Sequence, residues 1–215
     1  MDILDKAIAF ATKAHEGMTR KMSYTPYILH PMEAAVIVGT MTPDREVIAA
    51  ALLHDTVEDT KITLEEIYQE FGKRVGDLVK SETEDKREDR PPQETWEIRK
   101  KESIEELEAS GDIAVKMLWL GDKLSNMRGF YQEYQMVGDA IWESFNQKDP
   151  NKQAWYYRSI VKALEPLHKY PAWQEYAWRV ERVFEHFPDP NRKEATEDEK
   201  LDRINSNIDI LEKYE

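Results

Sequence analysis

The sequence predicts an all-α fold, and three observations carry that expectation. Apolar residues recur at helical spacing along nearly the whole chain. No stretch keeps the period-two alternation of a half-buried strand. Glycine is scarce, 8 of 215 residues, which disfavours a loop-rich or all-β chain. The length corresponds to roughly one to one-and-a-half domains, enough to bury a core without disulfides or structural metals.

Taken in order, Ile3, Leu4, Ala7, Ile8, Ala11 and Ala14 form the apolar stripe of a first helix, stopped near Gly17. A loop from Met18 to Leu29 carries Arg20-Lys21 and the turn signal Thr25-Pro26. Pro31 suits the first position of a second helix running to Gly39. Thr42-Pro43-Asp44 then opens a third, from Asp44 to about Val57. Thr63 and Glu66 have capping-box spacing for a fourth that ends near Gly72, with a separate helix from about Lys73 to Glu82. Residues 83–95 are charged and proline-bearing, and read as a loop. Trp96 to Ala109 and Asp112 to Met127 follow as helices, divided at Gly111. Further helices are expected at about 131–145, 152–168 and 172–186. After the break at FPDPNRK, Thr196 to Tyr214 forms a charged helix with Leu201, Ile204, Ile208 and Leu211 on one face. The expected organisation is one domain over 1–187 and a helical tail over 188–215.

Composition removes several functions. The chain has 30 basic and 43 acidic residues, a formal charge of −13. That balance argues against broad electrostatic binding to nucleic acid or to an anionic membrane. With no cysteine, disulfide frameworks, thiolate metal sites and a thiol nucleophile are excluded. The apolar run Val47–Leu53 is far short of the ~20 residues of a membrane span. Met1 to Lys6 lacks the basic region of a secretion signal, so the expected location is the cytoplasm.

The chemistry concentrates in Ala49 to Thr60, AAALLHDTVEDT. Its first half is apolar enough to demand burial. On a helical wheel with His54 at zero, Glu58, Asp55 and Asp59 fall at about 40°, 100° and 140°, while Leu53 and Val57 lie opposite. Four ionisable groups thus share one face of a buried helix. Burying carboxylates together is unfavourable unless a cation or solvent compensates. A surface acidic patch at a helix C-terminus is the plainer reading, but negative charge there opposes the macrodipole. The pattern favours a metal cleft. Further on, Asp122 and Asn126 are i,i+4 neighbours closing the apolar run from Ile113. Alone, Asp122 reads as a satisfied core carboxylate, and His30 before Pro31 as a capping or packing histidine.

Together, His30, His54-Asp55 and Asp122 resemble the HD superfamily of metal-dependent phosphohydrolases. The resemblance is closest to the hydrolase domain of Rel/Spo homologues and to free-standing small alarmone hydrolases. It is carried by Arg20-Lys21, by TPYILHP ending at Pro31, and by ALLHDTVEDT ending at Thr60. Thr83 to Lys86 (TEDK) and Leu120 to Arg128 (LGDKLSNMR) extend it downstream. It implies an all-helical HD-domain bundle and a Mn²⁺ site formed by His30, His54, Asp55 and Asp122. Glu58 and Asp59 match the family's catalytic acidic pair, which positions and deprotonates the attacking water. Arg20 and Asn126 match positions shaping the nucleotide site, with Arg20 stacked on guanine, and Lys21 and Lys123 are candidate phosphate or ribose contacts.

The implied reaction removes the 3′-pyrophosphate of (p)ppGpp, giving GDP or GTP. Alternatives are an HD phosphohydrolase for NADPH, a dNTP or a nucleoside monophosphate, and a non-catalytic nucleotide-sensing module. The implied partner is thus a guanine nucleotide, with no nucleic acid or membrane. The amphipathic tail is a candidate contact with its own domain or with a second copy. Two positions depart from the family pattern. Gly121 stands where alanine is usual, a change expected only to loosen the helix. Trp96 lies near where animal members of the family offer a phosphate-binding lysine, and Arg158 in the WYYR segment is the candidate replacement contact, whereas Arg99, Lys100 and Lys101 read better as a solvated helix face.

Overall fold

In the computed structural model, residues 2–20, 24–87 and 89–188 are described. They form eight α-helices: α1 Ile3–Ala14, α2 Leu29–Gly39, α3 Arg45–Asp59, α4 Leu64–Lys80, α5 Pro92–Ala109, α6 Ile113–Val137, α7 Pro150–Ala163 and α8 Pro171–Phe184. Short 3-10 turns cover Gly138–Ser144 and Glu165–Leu167. Among the described residues there is no strand, only an isolated bridge between Thr19 and Pro26. The all-α expectation holds; the tail helix lies outside the described residues.

Local chemistry explains most helix starts. Asp2, Asp44, Asp112 and Asp149 each accept a backbone N–H two residues on, capping α1, α3, α6 and α7. Thr63 and Glu66 form the expected reciprocal capping box of α4. Pro92, Pro150 and Pro171 begin α5, α7 and α8, where a missing N–H costs nothing.

Several boundaries differ from expectation. α5 begins at Pro92, inside the segment read as a loop over 83–95. The separate helix expected at about 131–145 is divided between the end of α6 and the 3-10 turn Gly138–Ser144. α2 begins two residues before Pro31, because proline is tolerated anywhere in a first turn. The two helices expected around Gly72 form α4 with a kink there, at φ 85° and ψ 173°, a conformation that favours glycine. The helix expected to end at Met127 runs on to Val137, since Phe130, Tyr131 and Tyr134 continue its packed face.

α3 is the central element, and eight of its residues from Val47 to Thr56 are buried. α1, α2 and α4 pack around it, α2 also lies along α6, and α8 covers the other side of α6. Phe130, Trp142, Tyr157 and Phe184 join the second half to the core, with Phe184 stacked at 5.7 Å from Trp142 and 5.6 Å from Tyr157. The C-terminal half of α3 therefore meets the first turn of α2 and the middle of α6 at one place.

Candidate metal centre and acidic cleft

At that meeting point α2 contributes His30, α3 contributes His54 and Asp55, and α6 contributes Asp122. His30 Nε2 lies 3.0 Å from Asp122 Oδ1 and 3.4 Å from Asp55 Oδ2. His54 Nε2 lies 3.5 Å and 3.2 Å from the same two oxygens. Two ring nitrogens and two carboxylate oxygens thus enclose one small space. His30, His54 and Asp122 are buried and each offers a ligand atom within 4.8 Å of the others.

The far side of each imidazole is held. His54 Nδ1 lies 2.8 Å from the Ala51 carbonyl, to which only an N–H can donate. Ser125 Oγ donates to Glu33 Oε2 at 2.7 Å, so it accepts from His30 Nδ1 at 2.8 Å. Both neutral tautomers therefore turn an Nε2 lone pair inward, as supporting bonds behind a metal centre do. His54 Nε2 is buried with no hydrogen-bond partner. Burial opposes charge on His54, yet Asp55 and Asp122 outweigh it and hold the imidazole well above its ordinary value. Burial likewise opposes charge on the two aspartates. His54 and His30 nevertheless hold Asp55 below the usual carboxylate range, and Lys123 and the histidines do so for Asp122. The two carboxylates that favour a positive charge at His54 would serve a bound cation in the same way, and this donor set fits a divalent cation.

The acidic pair borders the centre. Asp59 takes donors on both oxygens, Tyr27 Oη at 2.8 Å and Lys86 Nζ at 2.6 Å. The same hydroxyl reaches Asp55 Oδ2 at 2.7 Å. Lys86 also donates to the Glu58 carbonyl at 3.0 Å, placing a cation on the C-terminal end of α3 and offsetting the macrodipole conflict. Glu58 is held more loosely, by the Glu84 N–H at 3.3 Å and Lys86 at 3.4 Å. Burial pushes its carboxyl up, with Lys86 opposing.

The remaining expected residues divide. Arg20 Nη2 donates to Asn126 Oδ1 at 2.8 Å, and Asn126 Nδ2 donates to Asp122 Oδ1 at 2.5 Å, so both join the centre. Lys123 is ion-paired with Asp122 and lies over the Trp119 ring at 4.7 Å. Lys21 lies outside the described residues. Arg158 is a correction. Its guanidinium donates to the carbonyls of Phe184, Phe187 and Pro188, closing the end of α8 away from the cleft.

The reading of residues 99–101 as a solvated face holds only for Lys101. Arg99 is buried and donates to Glu84 at 2.7 Å, and Lys100 lines the cleft, donating to Glu84 at 3.0 Å. Tyr27 and Glu82 were not singled out from the sequence. Glu82 lines the cleft with neither carboxyl oxygen hydrogen-bonded. Burial and the Asp122 charge push it up to about 8, against Lys123 at 3.8 Å. Its signal was its place on the stripe of Val75, Leu78 and Val79, where a carboxylate must be buried.

Comparison with known proteins gives a consistent picture. A family model described as an HD domain matches residues 7–149. The chain is 39% identical over 126 residues to a Brucella ovis protein named GTP pyrophosphokinase rsh. It is 36% identical over 130 residues to a Myxococcus xanthus GTP pyrophosphokinase. These matches take in 59% and 60% of this chain but only 16% and 17% of those proteins. Among solved structures, lmo0812 from Listeria monocytogenes is similar with a TM-score of 0.64 and 34% identity, over 73% of this chain and 99% of that one. A metazoan ortholog of SpoT, described as hydrolysing ppGpp and playing a role in starvation responses, is similar with a TM-score of 0.63 and 25% identity. That likeness covers 86% of this chain and 96% of the other.

Proposed function

The chain belongs to the HD-domain family, and from that premise we propose that it is a Mn²⁺-dependent phosphohydrolase removing the 3′-pyrophosphate of (p)ppGpp. The observation that carries the reading is the inward pair of Nε2 atoms facing Asp55 and Asp122, with Glu58 and Asp59 alongside. The metazoan neighbour's described activity supports the substrate. The names of the curated relatives describe proteins of which this chain spans about a sixth, and their synthetic activity is not carried over.

His30, His54, Asp55 and Asp122 would hold the cation, and two imidazoles with two carboxylates suit Mn²⁺. When bound, it supplies Lewis-acid polarisation of a phosphoryl oxygen and makes water easier to deprotonate. Glu58 takes the proton from the attacking water: burial raises its affinity for that proton, and it is the less restrained member of the pair. Asp59, held from both sides by Tyr27 and Lys86, orients the water. Lys123 holds Asp122 in place and, with Lys100, supplies positive charge on the cleft wall for the phosphates. Arg20 presents its flat guanidinium to the guanine, with Asn126 setting its direction and Lys21 as a further phosphate or ribose contact. No described helix is long and apolar enough to cross a membrane. On this reading the enzyme is cytoplasmic, with residues 1–187 as its catalytic domain.

A nucleotide panel tests the reading. Mn²⁺-loaded protein should consume ppGpp and pppGpp in preference to NADPH, dNTPs and nucleoside monophosphates. Intact ppGpp beside cleaved NADPH or dNTP would assign the same site to another nucleotide. No turnover of any member would favour a sensing module.

A further inference from the structure

We propose that Tyr27 is a positioning residue of this centre, its single hydroxyl tying Asp55 to Asp59 and so fixing the acidic pair relative to the cation. The inference rests on the metal-site reading above. The hydroxyl lies 2.7 Å from Asp55 Oδ2 and 2.8 Å from Asp59 Oδ2. That Asp55 oxygen is the one that faces both imidazoles. A phenol carries one proton, so the two carboxylates share a single donor and are held in register by it.

Tyr27 is itself anchored. It lies in the turn before α2, where its N–H donates to the Met18 carbonyl and its own carbonyl accepts from the His30 N–H, each at 2.9 Å. Its ring packs on His15 at 4.9 Å and 34° and meets the His30 ring edge-on at 6.0 Å. His15 is buried with neither ring nitrogen hydrogen-bonded. It therefore acts on Tyr27 as a flat packing face rather than as a hydrogen-bonding partner.

Tyr27 completes a pattern. His54 is backed by the Ala51 carbonyl, His30 by Ser125 and Asp122 by Asn126. Tyr27 backs Asp55 and, among these supporting residues, is the one that also reaches the acidic pair. Without the hydroxyl, Asp59 keeps, among the described residues, only the side chain of Lys86, which comes from the loop after α4. Loss of such supporting partners typically costs 10–100-fold in metal affinity or activity.

Tyr27→Phe keeps the ring on His15 and removes only the hydroxyl, and the thermal transition of the purified protein verifies that the fold is retained. Mn²⁺ affinity is measured without nucleotide, from the paramagnetic resonance signal of free Mn²⁺. It should weaken by about 10-fold or more. Turnover at limiting Mn²⁺ should fall by a similar factor; at saturating Mn²⁺, where only the Asp59 contact counts, Tyr27→Phe should add less than about 3-fold to the loss already caused by Asp59→Asn, because contacting residues that act together are non-additive. Unchanged Mn²⁺ affinity, or losses that multiply in the double variant, would overturn the proposal. If the parent protein bound Mn²⁺ yet left every nucleotide intact, the hydrolase reading would fall, and the affinity comparison would still decide the role of Tyr27.

Discussion

Gly121 packs directly on Ala34: a Cβ added to Gly121 would lie 2.9 Å from the Ala34 carbonyl oxygen and 2.7 Å from Val38 Cγ2. This close approach sets the separation of α6 and α2 one residue before Asp122 and four residues after His30. The 3.0 Å contact between those two side chains depends on it. Glycine here is therefore a spacing device and does more than loosen a helix.

Gly121→Ala gains about 1 kcal/mol of helix propensity but forces the two backbones apart, and overpacking of this kind costs about 1–3 kcal/mol. We expect a lower melting temperature and weaker Mn²⁺ binding, read by calorimetry. A more stable protein with unchanged affinity would refute the spacing role.

His54→Ala and Asp55→Ala each remove a ligand of the proposed centre. Both should abolish turnover and lower bound Mn²⁺, measured by elemental analysis after gel filtration. Normal metal content in both variants would refute the ligand assignment.

Glu58→Gln keeps size and polarity but removes the proton acceptor. Metal content should be retained while the rate falls by about 10²-fold or more, a typical size for lost general-base catalysis. If metal is lost instead, Glu58 is a ligand and its role must be reassigned.

Glu82 makes the metal-free protein pH-sensitive. Its carboxyl is raised to about 8 by burial, so the folded state keeps a proton that the unfolded chain releases in the ordinary glutamate range. Stability attached to this group is therefore present below that range, declines as pH rises through it, and is fully lost above about pH 8. Glu82→Gln is neutral throughout. Its melting temperature relative to the parent should rise from near parity at about pH 5 to a gain of several degrees at about pH 8.5. A difference independent of pH would contradict the assignment.

Much of the molecule was legible in the sequence because its signals are local. The capping box at Thr63 and Glu66, the break at Gly72 and the amphipathic stripes follow from neighbours three or four residues apart. The same geometry put His54, Asp55, Glu58 and Asp59 on one face. What stayed hidden depends on which helix faces meet. Arg158 was drawn to the cleft by its cationic character, but α8 ends beside it and takes its donors. Lys100 was assigned to solvent, although α5 turns that face toward Glu84. The meeting of α2, α3 and α6 is a tertiary fact. Motif resemblance anticipated it, whereas Tyr27 entered only through the distances of its hydroxyl.

The most direct test of the central claim is product analysis on ppGpp with Mn²⁺, followed by chelation and restoration of the metal. The account predicts GDP and intact pyrophosphate in equal amounts, loss of the reaction in excess chelator and its return with added Mn²⁺. Persistence of ppGpp in the Mn²⁺-loaded protein, or release of orthophosphate in place of pyrophosphate, would contradict it.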